Sequence, residues 1–158
     1  MAIYVTSDAH GHVRALDEAL SKISLASDDT LYVLGDMIDR GPDPVGVIKL
    51  ARSLPNAHVL KGNHEQIMLD AIIGQDPLDA ETWDINGGWT TREQLNDMEF
   101  EAYEELVRWM AALPLYAVAE TEERPYLLVH AGIEMKAARA FLLEHGVDCA
   151  DGVGAVGA

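Results

Sequence analysis

Short apolar runs alternate with amphipathic stretches through the first half of the sequence. The apolar runs are Ile3–Ser7, Thr30–Leu34 and Ala57–Leu60, and the amphipathic stretches are about Val13–Ser24, Pro44–Ser53 and Glu65–Ile73. Within the amphipathic stretches, apolar residues recur at the three- to four-residue spacing of a helix. Strands that alternate with helices favour a largely parallel sheet, because a right-handed crossover helix is the usual connection between parallel strands. The sequence therefore predicts an α/β fold.

The second half of the chain departs from this alternation. Residues 75–91 contain Asp-Pro and Asn-Gly-Gly turn signals, and they predict an irregular excursion. The elements predicted after it are a helix over Glu99–Ala112, strands over Leu115–Glu120 and Tyr126–His130, and a helix over about Met135–His145. A chain of 158 residues has room for one domain, which we expect over residues 1–145, with an irregular tail over 146–158.

Charge and composition exclude several classes of partner. The chain has 27 acidic and 11 basic residues, and its net charge of −16 disfavours binding to a nucleic-acid backbone. Bound divalent cations invert the field locally, so a phosphorylated substrate remains compatible with this charge. The sequence has no apolar run long enough for a bilayer and no signal-peptide pattern, and its single cysteine, Cys149, fits a reducing compartment. We expect a cytoplasmic protein with no membrane or nucleic-acid partner.

Four polar clusters each follow the end of a predicted strand. They are Asp8-Ala9-His10-Gly11, Gly35-Asp36-Met37-Ile38-Asp39-Arg40-Gly41, Gly62-Asn63-His64-Glu65 and His130-Ala131-Gly132. In open α/β sheets, ligands bind in the crevice at the carboxyl ends of the strands. We therefore expect the four clusters to converge in space although they are far apart in sequence.

The first cluster has the chemistry of a metal site. Asp8 and His10 are two residues apart, so along a continuing extended segment both side chains would point the same way. A carboxylate and an imidazole together offer oxygen and nitrogen ligands, which suit Mn, Fe or Zn better than Ca or Mg.

Each of the next two clusters contains a pair of residues that would have different roles. Asp36 and Asp39 are three residues apart, so that one can be a ligand while the other acts behind it. Asn63 and His64 are adjacent and cannot easily face one metal together, so one is expected to ligate while the other does acid–base work. Each pair alone is weak evidence, and the ordered set of four clusters is what indicates a site.

These clusters resemble, in order and spacing, the successive signatures of the phosphoprotein phosphatase family of calcineurin-like metallophosphatases, above all its bacterial and phage members. The matching segments are 7–11, 35–41, 61–65 and 130–133, and Asn86-Gly87-Gly88-Trp89-Thr90-Thr91 resembles a further segment of the shorter enzymes. The resemblance implies an αββα sandwich of two sheets flanked by helices, with a binuclear metal centre at the sheet edges.

The resemblance also implies a ligand set. By position, Asp8, His10 and Asp36 would hold the first metal, and Asp36, Asn63 and His130 would hold the second. The family resemblance implies two divalent ions, most readily Mn, with Fe or Zn as alternatives. In two-metal hydrolases such ions lie about 3.5–4 Å apart and activate a water for in-line attack on phosphorus.

Three more residues receive roles from the same resemblance. Arg40 would bind two phosphate oxygens, His64 would protonate the leaving oxygen, and Asp39 would orient the His64 ring. The remaining aromatic and histidine side chains are expected to pack or to lie at the surface, although Trp89 could line the cleft; these are His12, His58, His145, Trp83, Trp89 and Trp109.

The implied activity is a serine/threonine protein phosphatase acting on phosphorylated proteins or small phosphoesters. A symmetrical dinucleoside polyphosphate hydrolase and a catalytically weak phosphate-binding relative are the alternatives. The family pattern continues with a Gly-His-Thr segment and a further histidine that do not follow His130-Ala131-Gly132 here. We therefore expect an incomplete second sheet, a weakly held second metal, low turnover and self-association through an exposed sheet edge.

Overall fold

Three parallel strands form the first sheet of the computed structural model, which describes residues 1–74 and 76–144. Strands β1 (Ile3–Thr6), β2 (Thr30–Val33) and β3 (Ala57–Val59) lie in the order β1-β2-β3. The register pairs Ile3 with Thr30 and Leu31 with Ala57. All three predicted strands are present, and each ends one residue earlier than expected.

The helices that follow these strands are α1 (Val13–Ile23), α2 (Pro44–Ser53) and α3 (Asn63–Ile73). Helix α2 begins as predicted, because Asp43 accepts a hydrogen bond from Gly46 N at 2.9 Å and Pro44 occupies the first turn. Helix α3 begins two residues before the predicted start at Glu65. Asn63 and His64 therefore lie on a helical turn, which fixes both side chains relative to the strand end.

The predicted irregular excursion over residues 75–91 is wrong. Two helices occupy most of it, α4 (Pro77–Ile85) and α5 (Trp89–Asn96). The Asp76 side chain accepts a hydrogen bond from Leu78 N at 2.9 Å, so the Asp-Pro pair starts a helix instead of forming a turn. Only residues 86–88 connect the two helices.

The remaining elements are α6 (Phe100–Ala111), the antiparallel strands β4 (Tyr116–Glu120) and β5 (Pro125–Val129), and α7 (Met135–Glu144). The Tyr32 hydroxyl donates to Val118 O at 3.2 Å and links the two sheets. The tail predicted over 146–158, together with His145 and Cys149, lies outside the described residues. Among the helices of residues 1–74 and 76–144, none has the length and apolar character needed to cross a bilayer.

The core lies between the parallel sheet and its helices. Strand β2 is central and buries Leu31 and Val33, and the loop after it buries Met37 and Ile38 completely. Burying apolar side chains of this size stabilises a fold by about 1.5–3 kcal/mol each. The polar loop residues that follow β2 are thus supported by these close-packed apolar side chains.

The two-stranded sheet is covered much less. Large apolar side chains beside it remain exposed, among them Leu115, Tyr116, Ile133 and Met135. This exposure matches the surface on which we expect self-association, and that association stays a prediction.

Candidate metal centre

The loops after β1 and β2 run side by side at the carboxyl edge of the parallel sheet. Asp8 N donates to Gly35 O at 3.2 Å, and His10 N donates to Asp36 O at 2.9 Å. A β-carbon added to Gly35 would collide with Gly62 N. The main chain of the loop before α3 therefore lies directly against the main chain at Gly35. The predicted convergence of the polar clusters is therefore present in the structure.

The backbone of this site is left-handed at five side-chain-bearing residues. Asp8, His10, Asp36, Asp39 and Arg40 have φ angles of 56°, 39°, 53°, 68° and 65°. Across the part of the chain that the structure describes, only one other non-glycine residue has a positive φ. Such conformations cost about 1–3 kcal/mol each and persist where the surrounding structure enforces them. The extended geometry expected between Asp8 and His10 is wrong, because the chain leaves β1 at Thr6 and turns.

All five predicted metal ligands come together around the Asp36 carboxylate. Asp36 Oδ2 lies 3.7 Å from His10 Nε2 and 3.4 Å from His130 Nε2. On one side Asp8 Oδ1 lies 3.8 Å from His10 Nε2, and on the other Asn63 Oδ1 lies 2.9 Å from His130 Nε2. Asp36 thus stands between two groups of ligands, as a shared carboxylate would.

The histidine hydrogen bonds aim the ligand nitrogens inward. His10 Nδ1 lies 2.9 Å from Ile38 O and His130 Nδ1 lies 2.8 Å from Leu34 O. A carbonyl only accepts, so each Nδ1 carries a proton, and in the neutral ring each Nε2 then presents a lone pair to the centre. Metal-binding histidines are held by such second hydrogen bonds. The donor set of two imidazoles, two carboxylates and one amide fits a first-row transition metal ion.

Asn63 and His130 supply a further sign of this fit. If His130 is neutral with its proton on Nδ1, its Nε2 and the facing Asn63 Oδ1 are both acceptors at 2.9 Å. Three changes would remove this repulsion: a second proton on the ring, rotation of the amide so that its nitrogen faces the ring, or a cation bound between the two atoms. The described residues contain two groups able to hold an ion, Asp8/Asp36/His130 and His10/Asp36/His64, and Asp36 belongs to both. These groups pair Asp8 with His130 and His10 with His64, so their membership differs from the two ligand sets that the resemblance implies.

A buried imidazole–carboxylate pair lies beside these ligands. His64 Nδ1 lies 2.6 Å from Asp39 Oδ2, and their side chains are 1% and 0% exposed. Asp39 Oδ1 also accepts from the Thr91 hydroxyl at 2.6 Å and from Trp83 Nε1 at 3.0 Å. From the sequence, Thr91 has no predicted role and Trp83 is expected only to pack.

Arg40 is exposed and reaches across the mouth of the site. Its two terminal nitrogens donate to His10 Nε2 at 3.0 Å and to His64 Nε2 at 2.7 Å. The planar guanidinium therefore presents its charge at the point where the ligand group and the His64–Asp39 pair meet. A phosphate approaching from solvent would encounter it first.

Comparison with known proteins identifies this arrangement. A model of the calcineurin-like phosphoesterase family matches residues 1–150. The chain belongs to the calcineurin-like phosphoesterase family. A metallophosphoesterase structure from Sphaerobacter thermophilus is 26% identical with a TM-score of 0.53, covering 74% of this chain and 42% of that one. The predicted membership of the calcineurin-like metallophosphatases and the predicted αββα fold class are confirmed, whereas the phosphoprotein phosphatase branch stays a prediction.

Two further relatives of this phosphoesterase chain carry more specific names. A symmetrical bis(5'-nucleosyl)-tetraphosphatase from Proteus mirabilis is 33% identical over 138 residues, 84% of this chain and 45% of its own length. A serine/threonine phosphatase structure from Saccharomyces cerevisiae has a TM-score of 0.60 at 19% identity, covering 85% of this chain and 42% of that one. This last likeness concerns the fold alone. The chain spans about half the length of the curated relatives that it matches.

Glu65 is a buried residue of this site for which no role is predicted from the sequence. Its carboxylate accepts from Gly62 N at 2.7 Å, Asp36 N at 2.9 Å and Met37 N at 2.8 Å. Burial raises the pKa of the Glu65 carboxyl, and the three amide donors act in the opposite direction by stabilising the ionised form. Glu65 thereby ties the start of α3 to the loop that carries Asp36. In the sequence, the only indication of this role is the position of Glu65 in the 62–65 cluster.

Glu65→Gln is expected to destabilise the fold by about 1–3 kcal/mol. Glutamine offers one acceptor oxygen, so its amide nitrogen must face a backbone N–H that the carboxylate now satisfies. Urea unfolding of the metal-free chain measures the change. Glu104→Gln is the matched control, because Glu104 makes only an exposed 3.9 Å pair with Arg108. Equal unfolding free energies for the two variants would show that Glu65 does not tie the loops together.

Proposed function

We propose that this chain carries the metal site of a metal-dependent phosphoester hydrolase that cleaves dinucleoside tetraphosphates symmetrically. The observation that carries the proposal is the Asp36 carboxylate, whose Oδ2 lies 3.7 Å and 3.4 Å from two inward-facing imidazole nitrogens. Beside it lies the His64–Asp39 pair, with a 2.6 Å contact suited to proton transfer.

The choice of substrate rests on the curated relatives. The Proteus mirabilis protein is named for hydrolysis of bis(5'-nucleosyl) tetraphosphates, and it aligns with most of this chain. The resemblance of the sequence motifs predicts a serine/threonine phosphatase, and the structural neighbour of that name, at 19% identity, supports the fold only. The comparisons therefore favour the dinucleotide alternative over the protein phosphatase.

The five ligands divide into two groups that share one carboxylate. Asp8, His10 and Asp36 would hold one divalent ion, and Asp36, Asn63 and His130 would hold the other. Bound there, such ions supply Lewis-acid polarisation of the phosphoryl oxygens and lower the pKa of water.

The protein's own residues would then act on the substrate. Arg40 turns its two donors from the histidines to two phosphoryl oxygens, a bidentate contact that lysine cannot make. This frees His64 Nε2, which in its protonated form donates to the leaving oxygen while Asp39 holds Nδ1–H. The water oxygen would form the new P–O bond and release a proton to solvent, the P–O bond to the bridging oxygen would break, and the leaving oxygen would take the proton of His64 Nε2. His64 would then regain a proton from solvent.

Product analysis with Mn²⁺ tests the proposal. Bis(5'-adenosyl) tetraphosphate should yield two ADP, because symmetrical cleavage breaks the central P–O–P linkage, and it should be hydrolysed faster than a phosphoserine peptide. Faster hydrolysis of the peptide would restore the protein phosphatase interpretation. Formation of AMP and ATP would contradict symmetrical cleavage, and phosphate binding without turnover would favour the catalytically weak relative.

A further inference from the structure

The Asp39 carboxylate receives more hydrogen bonds than a simple partner of His64 needs. Oδ2 accepts from His64 Nδ1 at 2.6 Å and from Trp83 Nε1 at 3.2 Å. Oδ1 accepts from Thr91 Oγ1 at 2.6 Å and from Trp83 Nε1 at 3.0 Å. Asp39 itself is 0% exposed, so bulk solvent does not reach this arrangement.

We propose that Thr91 and Trp83 are positioning residues for the reaction, acting on His64 through Asp39. By fixing Oδ1 they hold Oδ2 against His64 Nδ1, and this keeps the opposite ring nitrogen turned toward the reacting phosphoryl group. The catalytic consequence rests on the proposed function, whereas the positioning itself is a property of the fold.

The Thr91 hydroxyl both accepts a hydrogen bond from Asp39 and donates one to it. It accepts from Asp39 N at 2.9 Å and donates to Asp39 Oδ1 at 2.6 Å. A hydroxyl has one proton, and here it is donated to the Asp39 carboxylate. Thr91 thus clamps the main chain and the side chain of Asp39 together, at a residue whose φ of 68° needs outside support.

The Trp83 indole N–H is a hydrogen-bond donor whose orientation is fixed by packing. The indole nitrogen only donates, and Trp83 is 3% exposed. A β-carbon on Gly88 would collide with the indole ring, so the α4–α5 connection packs directly on it. The next residue back, Gly87, accepts from Arg40 N at 3.1 Å. The α4–α5 pair therefore holds the Asp39–Arg40 loop from one side.

The decisive comparison is Thr91→Val with Thr91→Ser. Valine keeps the shape and removes the hydroxyl, whereas serine keeps the hydroxyl. Thr90→Val is the matched control, because Thr90 is also buried and makes only a 3.4 Å contact with Gly87 O. All three are measured beside the unchanged chain.

The first readout is the His64 Nδ1 proton resonance of the metal-free chain, which a 2.6 Å contact with a carboxylate places far downfield. Thr91→Val should shift or broaden this resonance, and Thr91→Ser and Thr90→Val should keep it. The second readout is hydrolysis of bis(5'-adenosyl) tetraphosphate, for which Thr91→Val should lower kcat roughly 10–100-fold with KM unchanged. Serine at this position should restore the rate.

Trp83→Phe decides the matter if Thr91→Val does not fold, since phenylalanine keeps the ring packing and removes the donor. Its control is Trp109→Phe, at a half-buried tryptophan on α6. A resonance and a kcat that stay unchanged in Trp83→Phe, and in Thr91→Val where that variant folds, would overturn the inference. A chain that hydrolyses no dinucleotide but loses the resonance in these variants would contradict the proposed function and leave the positioning intact.

Discussion

An Asp36→Asn chain is expected to lose Mn²⁺ binding and all hydrolysis while its metal-free fold stays intact. The substitution removes the charge that lies between the His10 and His130 nitrogens. Asparagine keeps an acceptor for His64 N, which now donates to Asp36 Oδ1 at 3.0 Å, and its amide can donate to the imidazoles. The substitution therefore removes the negative charge of Asp36 from the proposed metal site and does not leave an unsatisfied polar group at position 36.

Chemical unfolding with and without Mn²⁺ measures this effect. At an ion concentration of 100 Kd the unchanged chain should gain about 2.7 kcal/mol of unfolding free energy, and Asp36→Asn should gain none. Asp43→Asn is the matched control, because it removes one charge from the same loop and asparagine caps a helix as well as aspartate. An undiminished gain in Asp36→Asn would remove Asp36 from the ligand set.

His64→Asn is expected to keep the metal and to lower kcat by roughly 10²–10⁴-fold, as the loss of a general acid does. The loss should be larger with bis(5'-adenosyl) tetraphosphate than with p-nitrophenyl phosphate, because nitrophenolate leaves without much help from an acid. Rate measurements with both substrates are combined with metal analysis of the purified chain.

The control for this variant is His58→Asn. His58 is exposed and stacks on Tyr32 at 5.2 Å, and it has no part in the proposed site. If His64→Asn lost its metal while Asp36→Asn kept it, the ligand and acid roles would be inverted.

Much of this arrangement could be predicted because its signals are local. Apolar runs predicted β1, β2 and β3, and the polar clusters behind them predicted a shared site at the sheet edge. Backbone conformation was harder to predict. The turn that joins Asp8 to His10 depends on hydrogen bonds with the loop after β2, and alternation along a strand contains no sign of those bonds.

The supporting residues escaped prediction for a related reason. Thr91 and Trp83 reach Asp39 from helices that were expected to be irregular chain, and Glu65 bonds to a loop 28 and 29 residues away. Contacts of that range depend on tertiary packing, which single-sequence spacing does not record. The Asp-Pro pair at the start of α4 could have been interpreted as a helix cap, and this was the one local signal left unused.

Electron paramagnetic resonance of the chain titrated with Mn²⁺ tests the shared role of Asp36 most directly. A carboxylate common to both ligand groups would hold two ions about 3.5–4 Å apart, close enough for their spins to couple. The six-line spectrum of the first ion should therefore give way to a broadened, exchange-coupled spectrum as more Mn²⁺ binds. A spectrum that remains the sum of isolated six-line signals at every ratio would contradict a centre built around Asp36.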